Sequence, residues 1–367
     1  MFMKRLILID GNAILHRAFH ALPPLNGRNG ELVNAVYGFF SMFLRIIDEF
    51  KPDYVIVCFD RPKPTFRKQL YVGYQAKRPK MSDDLVPQIK IVHEILEAGN
   101  VCTFEVDGYE ADDLIGTIAT QAVGALAAHK NFLVHSAKKD KGLNSNSKSA
   151  SVHSENFVSS PRPISSAKDT SDGGRLSLRS HDSSEVEVII VSGDRDMLQL
   201  VNSHVKVAMP IIGITKMTIF SSTEVEEKYG IEPSQIVDYK SLAGDASDNY
   251  SGVAGVGPKT ASLLLREYGT LEEIYKNLDK IKNKNPNLSI KLAEGIESAG
   301  LAKKLAEIVT DAPISIDLER CRIETFNKTE MQKEFEKFGF KSLAKRLQGK
   351  EKAKENLEEA NRQLGLL

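Results

Sequence analysis

The chain has 367 residues, with 49 Lys or Arg balanced by 49 Asp or Glu, so its formal net charge is zero. That length suits two domains, or one large α/β core with an appended module, and no apolar run is long enough to span a membrane. Cys58, Cys102 and Cys321 show no zinc-type spacing, which predicts structural thiols in a reducing compartment.

Met1 to Asp10 carries Lys4 and Arg5, is too short for a signal segment, and reads as a first strand. The apolar run Leu6–Ile9 ends in Asp10, and a Gly11–Asn12 turn leads into a helix. A second helix is predicted from about Val33 to Phe50, placing Val36, Phe39, Phe40, Phe43, Ile46 and Ile47 at helical spacing. The strand Val55–Phe59 ends in Asp60. From Arg61 to Lys80 there are seven basic residues and no acid, interleaved with Phe66, Tyr71 and Tyr74. Such mixing suits single-stranded nucleic acid, because cations track phosphate while rings stack on bases, although a solvated loop has the same composition. A helix around Leu85–Ala98 follows, then a weaker strand, Cys102–Val106, leading into Glu110, Asp112 and Asp113 at the start of another helix.

Residues 129–185 are Ser-rich with few large apolar side chains, which predicts a disordered surface insertion. Asn131–Val134 is a possible strand fragment, but the core strand is placed at Val186–Val191, which runs through Ser192 and Gly193 into Asp194 and Asp196. Beyond Ser221 the pattern turns helical. Asp245 and Asp248 precede a glycine hairpin, Gly252 to Gly257, with Pro258, Lys259 and Thr260 opening a helix. A helix start so built is an anion site, here for a duplex DNA phosphate, and the plain reading is a helix–turn–helix corner. The charged stretch from 350 to 367 reads as a solvated helix or frayed tail.

Each acidic cluster has an ordinary reading. A strand-end Asp before Gly–Asn is a turn residue, acids favour a helix N-terminus, and a paired Asp can be an N-cap. Their joint placement is what matters. Buried, non-alternating strands imply a parallel sheet, and ligands bind beyond the carboxyl ends of such strands. Nine carboxylates converging there, Asp10, Asp60, Glu110, Asp112, Asp113, Asp194, Asp196, Asp245 and Asp248, need counter-ions. Hard divalent cations with oxygen ligands fit that need.

These motifs resemble the 5′ nuclease (flap endonuclease) family, most closely the N-terminal 5′→3′ exonuclease domain of bacterial DNA polymerase I. The matching pieces are Leu8-Ile9-Asp10-Gly11, Ala35-Val36-Tyr37-Gly38-Phe39, Phe59-Asp60 with Phe66-Arg67, Gly108-Tyr109-Glu110-Ala111-Asp112-Asp113, Ser192-Gly193-Asp194-Arg195-Asp196, and Gly244-Asp245 through Asp248-Asn249 with the hairpin. They occur in the family's order and cover Arg5 to about Leu347 apart from the Ser-rich insertion. The resemblance implies an α/β fold with a PIN-like parallel core over 1–221. A helical arch at about 61–98 and a helix–three-turn–helix module at 222–320 would follow, with 321–367 as a C-terminal region and tail.

It also implies two Mg²⁺ or Mn²⁺ ions. Asp10, Asp60, Glu110 and Asp112 match the family's first metal group; Asp113, Asp194, Asp196, Asp245 and Asp248 match the set serving mainly the second. Relatives hold a potassium ion at the hairpin. Arg67, Lys77 and Arg78 are expected to steer the phosphate, and Tyr74, Gln75, Gly252, Gly255, Gly257, Lys259 and Thr260 to contact DNA. The implied substrate is DNA with a 5′ flap, nick or end, together with RNA–DNA hybrids, cut in primer removal and repair. A monomer in a bacterial cytoplasm, associated with the nucleoid, or in an organelle is expected, working alone or with a separate DNA polymerase.

One departure stands out. Relatives carry Tyr-Lys-x-x-Arg in the arch, where this chain has Tyr74-Gln75-Ala76-Lys77-Arg78. Missing that cation leaves the alternative of a flap-binding paralogue that cuts weakly; a separate alternative is a PIN-type ribonuclease without the duplex grip.

Overall fold

The computed structural model describes residues 3–124, 186–212 and 216–347. The Ser-rich insertion, the Asn131–Val134 fragment and the charged tail lie outside them.

Six strands form one sheet in the order β3-β2-β1-β4-β5-β6. They are β1 (Lys4–Asp10), β2 (Tyr54–Cys58), β3 (Cys102–Phe104), β4 (Val186–Val191), β5 (Val205–Ile212) and β6 (Lys216–Phe220). The pairs are parallel except β5 with β6. Successive side chains leave opposite faces of a strand, and the core divides accordingly. Leu6, Leu8, Ile56, Cys58, Val188 and Ile190 face one layer, while Ile7, Ile9, Val55, Val57, Ile189 and Val191 face the other. Both faces are buried, which is why these strands show no polar alternation.

The second layer is built by α2 (Asn34–Phe50) and α4 (Val86–Ala98). Of the stretch predicted as an arch, α4 therefore packs into the core. The bridge itself is α3 (Phe66–Leu70) and the turns that follow it. The first layer takes a helix over 111–124, α5, and the helices beyond Ser221. Those are α6 (Ser222–Tyr229), α7 (Ile236–Ala243), α8 (Pro258–Tyr268), α9 (Leu271–Lys276), α10 (Leu278–Lys284), α11 (Pro286–Glu294) and α12 (Ile296–Ala306). Then α13 (Lys328–Lys337) and a helix at 341–347 return to the opposite layer, where Met331, Phe335, Phe340 and Leu343 pack with α2 and α4.

The cysteine expectation is corrected here. Cys58 is a buried free thiol, but Cys102 and Cys321 form a disulfide with Cα atoms 5.3 Å apart. Their sequence separation of 219 residues left no spacing signal to read.

Candidate metal centre

The chain fills β1, β2 and β3 outward, then returns to β4 on the other side of β1. The crevice of an open α/β sheet lies at such a reversal, beyond the strands' carboxyl ends. Asp10 ends β1, and β4 runs into Ser192, Gly193 and Asp194.

Asp10 is the N-cap of α1 (Gly11–Ala21): its Oδ1 accepts from Ala13 N at 2.9 Å and its Oδ2 from Ser192 Oγ at 2.7 Å. Burial, then repulsion from Asp60, pushes its carboxyl up to about 7, despite those two hydrogen bonds. Asp60 accepts from Ala111 N at 2.7 Å, and burial raises its pKa, with Asp113 and Asp194 adding to the shift. Asp112 is raised well above the usual carboxylate range, by burial and by repulsion from Asp113, Glu110 and Asp194. Asp248 is raised by burial, offset by Arg78, with Asp194 and Asp245 opposing its charge. Asp194 thus repels Asp10, Asp60, Asp112 and Asp248. The clusters share one electrostatic environment.

Three of the residues predicted to act at the site are turned inward. Arg67, predicted to steer phosphate, is 1% exposed. Its Nη1 and Nη2 each donate to Asp113 at 2.8 Å, and its Nε and Nη2 also donate to the carbonyls of Leu305 and Glu307. Asp113, a predicted metal ligand, is fully buried; its Oδ1 also accepts from Val309 N and its Oδ2 from Glu110 N. The pair fastens α3 to α5 and to the end of α12. Tyr74, predicted to meet DNA, is buried and donates to Glu110 Oε2 at 3.1 Å. Glu110 Oε1 accepts from Thr65 Oγ1 at 2.8 Å.

The remaining bridge residues stay near the opening. Gln75 sits at φ 56° and donates its N–H to the Asp248 carbonyl at 2.9 Å. Lys77 is exposed. Arg78 is half-exposed, and its Nη2 contacts Asp248 Oδ1 at 2.6 Å.

Asp196, Asp245 and Asp248 each offer a carboxylate oxygen within 4.8 Å of the others. Into this group projects Lys240, on the last turn of α7. Its Nζ contacts Asp245 Oδ2 at 2.5 Å and also lies against Asp196 Oδ1. That Asp196 oxygen is buried against the ammonium. Three carboxylates this close together, all hard oxygen donors, fit a divalent cation. Although burial pushes Asp245 up, Lys240 and Ser247 hold its carboxyl below the usual range.

A cleft of about 870 Å³ opens beside this group, lined by His16, Arg17 and His20 of α1 together with Arg78, Asp194 and Asp245. At the hairpin, Gly252 has no room for a side chain, since a Cβ there would lie 2.3 Å from the Leu242 carbonyl. Gly255 has φ 76°, Gly257 caps α8, Lys259 is exposed and Thr260 is half-buried.

Sequence reasoning missed Lys240, Ser192 and Thr65. A lysine within an otherwise mostly apolar last turn, five residues before Asp245, was the available signal for the first. The hydroxyls gave none.

Residues 5–152 match the family model of the 5′-3′ exonuclease N-terminal resolvase-like domain, and residues 231–329 that of the 5′-3′ exonuclease C-terminal SAM fold. A 5′-3′ exonuclease of Aquifex aeolicus is 32% identical over 343 residues, covering 94% of this chain and 95% of that protein. The chain belongs to the 5′-3′ exonuclease family. DNA polymerase I of Caldicellulosiruptor bescii is 37% identical over 345 residues, and this exonuclease-family chain spans 33% of that protein's length. Among solved structures, the T5 flap endonuclease in a pseudo-enzyme-product complex with DNA and metal ions has a TM-score of 0.55 at 16% identity, covering 94% of this chain and 97% of that one. At that identity the likeness establishes a shared fold. Among the described residues no helix of the exonuclease-family chain is long and apolar enough to cross a membrane.

Proposed function

We propose that this chain is a structure-specific 5′→3′ exonuclease and flap endonuclease that hydrolyses DNA, and RNA primers in hybrids, in primer removal and repair. The observation that carries this reading is the gathering of carboxylates from separate elements at one end of the sheet, with oxygens of Asp196, Asp245 and Asp248 within 4.8 Å of one another. Asp10, Asp60, Glu110 and Asp112 hold one Mg²⁺ or Mn²⁺, and Asp194, Asp196, Asp245 and Asp248 the other. When bound, such ions stabilise charge on the phosphate and lower the pKa of a water. The water oxygen adds to phosphorus as the P–O3′ bond breaks, its proton passing to O3′. The products carry a 5′-phosphate and a 3′-hydroxyl.

The chain's own residues orient the substrate. Lys77 and Arg78 draw phosphates toward the cleft, whose His16 and Arg17 wall extends that path. The free N–H groups and Lys259 at the start of α8 grip the duplex backbone, with potassium at the hairpin carbonyls. Affinity should therefore fall with salt. Arg67 and Asp113 position the site from behind. A monomer in a bacterial-type cytoplasm is the corresponding setting.

The test is incubation of labelled 5′-flap DNA with the protein and Mg²⁺, beside Asp194→Asn. Removing this proposed metal ligand should slow cleavage by on the order of a thousandfold or more. Cleavage at the wild-type rate would overturn the assignment.

A second reading, a flap-binding protein that cuts slowly, is favoured by two observations. The family resemblance implies a Lys where Gln75 stands, and Arg78 is held by Asp248. Tight binding without cutting in the same assay would select it. Preference for single-stranded RNA would instead select the ribonuclease alternative.

A further inference from the structure

Lys240 stands apart from every other cation near the site. Arg67 lies behind the carboxylates, is fixed by two carbonyls and Asp113, and reaches Glu110 and Asp112 only at 3.6 and 3.8 Å. Arg78 is half-exposed and touches Asp248 from the solvent side. The Lys240 side chain, by contrast, is 10% exposed, and its ammonium sits between Asp196 and Asp245, inside the group suited to a cation. The ammonium is paired with both Asp196 Oδ1 and Asp245 Oδ2.

A tethered ammonium and a divalent ion cannot occupy the same space between two carboxylates. An ion gains more Coulomb energy there than a single positive charge, but it must first displace that charge. The ammonium has somewhere to go, because Lys240 also lines the cleft in front of Asp194. On the other side neither Asp10 nor Asp60 makes an ion pair among the described residues, Asp10 accepting from Ala13 N–H and Ser192 Oγ, and the nearby Arg67 pairs with Glu110 and Asp112 from behind at 3.6 and 3.8 Å.

We propose that Lys240 is a resident counter-ion that holds Asp196 and Asp245 together in the metal-free protein and must leave before a divalent ion enters. The Asp196/Asp245/Asp248 group is then the weaker and later-filling of the two metal positions. The inference rests on the metal reading above, and its test needs no DNA, so flap cleavage reports on that reading separately.

Mn²⁺ is titrated into EDTA-stripped full-length protein, with free ion followed by electron paramagnetic resonance, for wild type, Lys240→Met and Lys240→Arg. The weaker binding step should tighten by at least about tenfold in K240M, where the competing charge is gone, and stay near wild type in K240R. An unchanged weaker step in K240M overturns the proposal, as does an equal gain in K240R, which would assign the effect to volume. A measurement on the wild type guards against a variant that fails to fold: acetic anhydride labelling read by mass spectrometry. Lys240 should be protected in EDTA and become labelled at saturating Mn²⁺. Protection that persists at saturation overturns the displacement.

Discussion

The two halves of the acidic centre solve the same electrostatic problem in opposite ways. Asp10 and Asp60 make no ion pair among the described residues, and burial pushes the Asp10 carboxyl up to about 7. Around Asp196, Asp245 and Asp248 the fold supplies Lys240 and Arg78, and Asp245 falls below the ordinary range. Carboxylates without such a pair gain from any cation that arrives. A half already holding a paired ammonium has to be rearranged to accept one, although Asp248 within it stays raised by burial. The difference teaches that similar residue types, brought to one crevice, can differ in readiness because of one lysine on a neighbouring helix.

The largest expected effect lies behind both halves. Arg67→Ala removes the cation that pairs with buried Asp113, and an uncompensated buried charge costs about 3–5 kcal/mol. Denaturant unfolding in EDTA measures it. A loss under about 1 kcal/mol would show that the pair does not fasten α3 to α5.

Next comes a pair of substitutions that should have opposite signs. In the folded protein Asp10 keeps its proton up to about pH 7, whereas in the unfolded chain it loses it near 4. The folded state therefore binds more protons between those values, and metal-free stability falls as pH rises through that window. Asn keeps an acceptor for Ala13 N–H and can donate to Ser192. Asp10→Asn in EDTA should then stabilise the protein at pH 8 by on the order of 2–4 kcal/mol, and by almost nothing near pH 4. Asp245 behaves conversely. Its depressed pKa contributes stability that is present above the unfolded value and lost as pH falls through the folded one. Asp245→Asn in EDTA should destabilise at pH 7 by about 1–2 kcal/mol. Equal signs for the two variants in thermal melts would erase the distinction between the halves.

The smallest expected effect concerns the bridge. Restoring positive charge with Gln75→Lys should raise the single-turnover rate on flap DNA by about tenfold, or about 1.4 kcal/mol of barrier. An unchanged rate would mean that position 75, whose backbone is already tied to Asp248, cannot aim a side chain at the phosphate.

Much of the architecture could be read from periodicity. The runs at Leu6–Ile9, Val55–Phe59 and Val186–Val191 declare buried parallel strands because both their faces are apolar, and α2 shows its buried stripe through its phenylalanines. The antiparallel edge strand β6, five residues long with only Phe220 buried, carries no such pattern. The acidic clusters were visible as residues, but their partners were not. Arg67 looked like its exposed neighbours Lys63 and Lys68, and only its burial separates it from them. Lys240 gave a faint signal, and Cys102 and Cys321 gave none across 219 residues.

Local sequence settled what depends on near neighbours: strand and helix periods, the glycines of the hairpin, the Asp caps, and the presence of acids at strand ends. Tertiary structure alone decided which carboxylates would be opposed by a cation and which would be left to repel one another. The physical reason is range. Backbone preferences act over a few residues, whereas charge pairing is fixed by distances of a few ångströms between side chains that the fold brings together from distant parts of the chain.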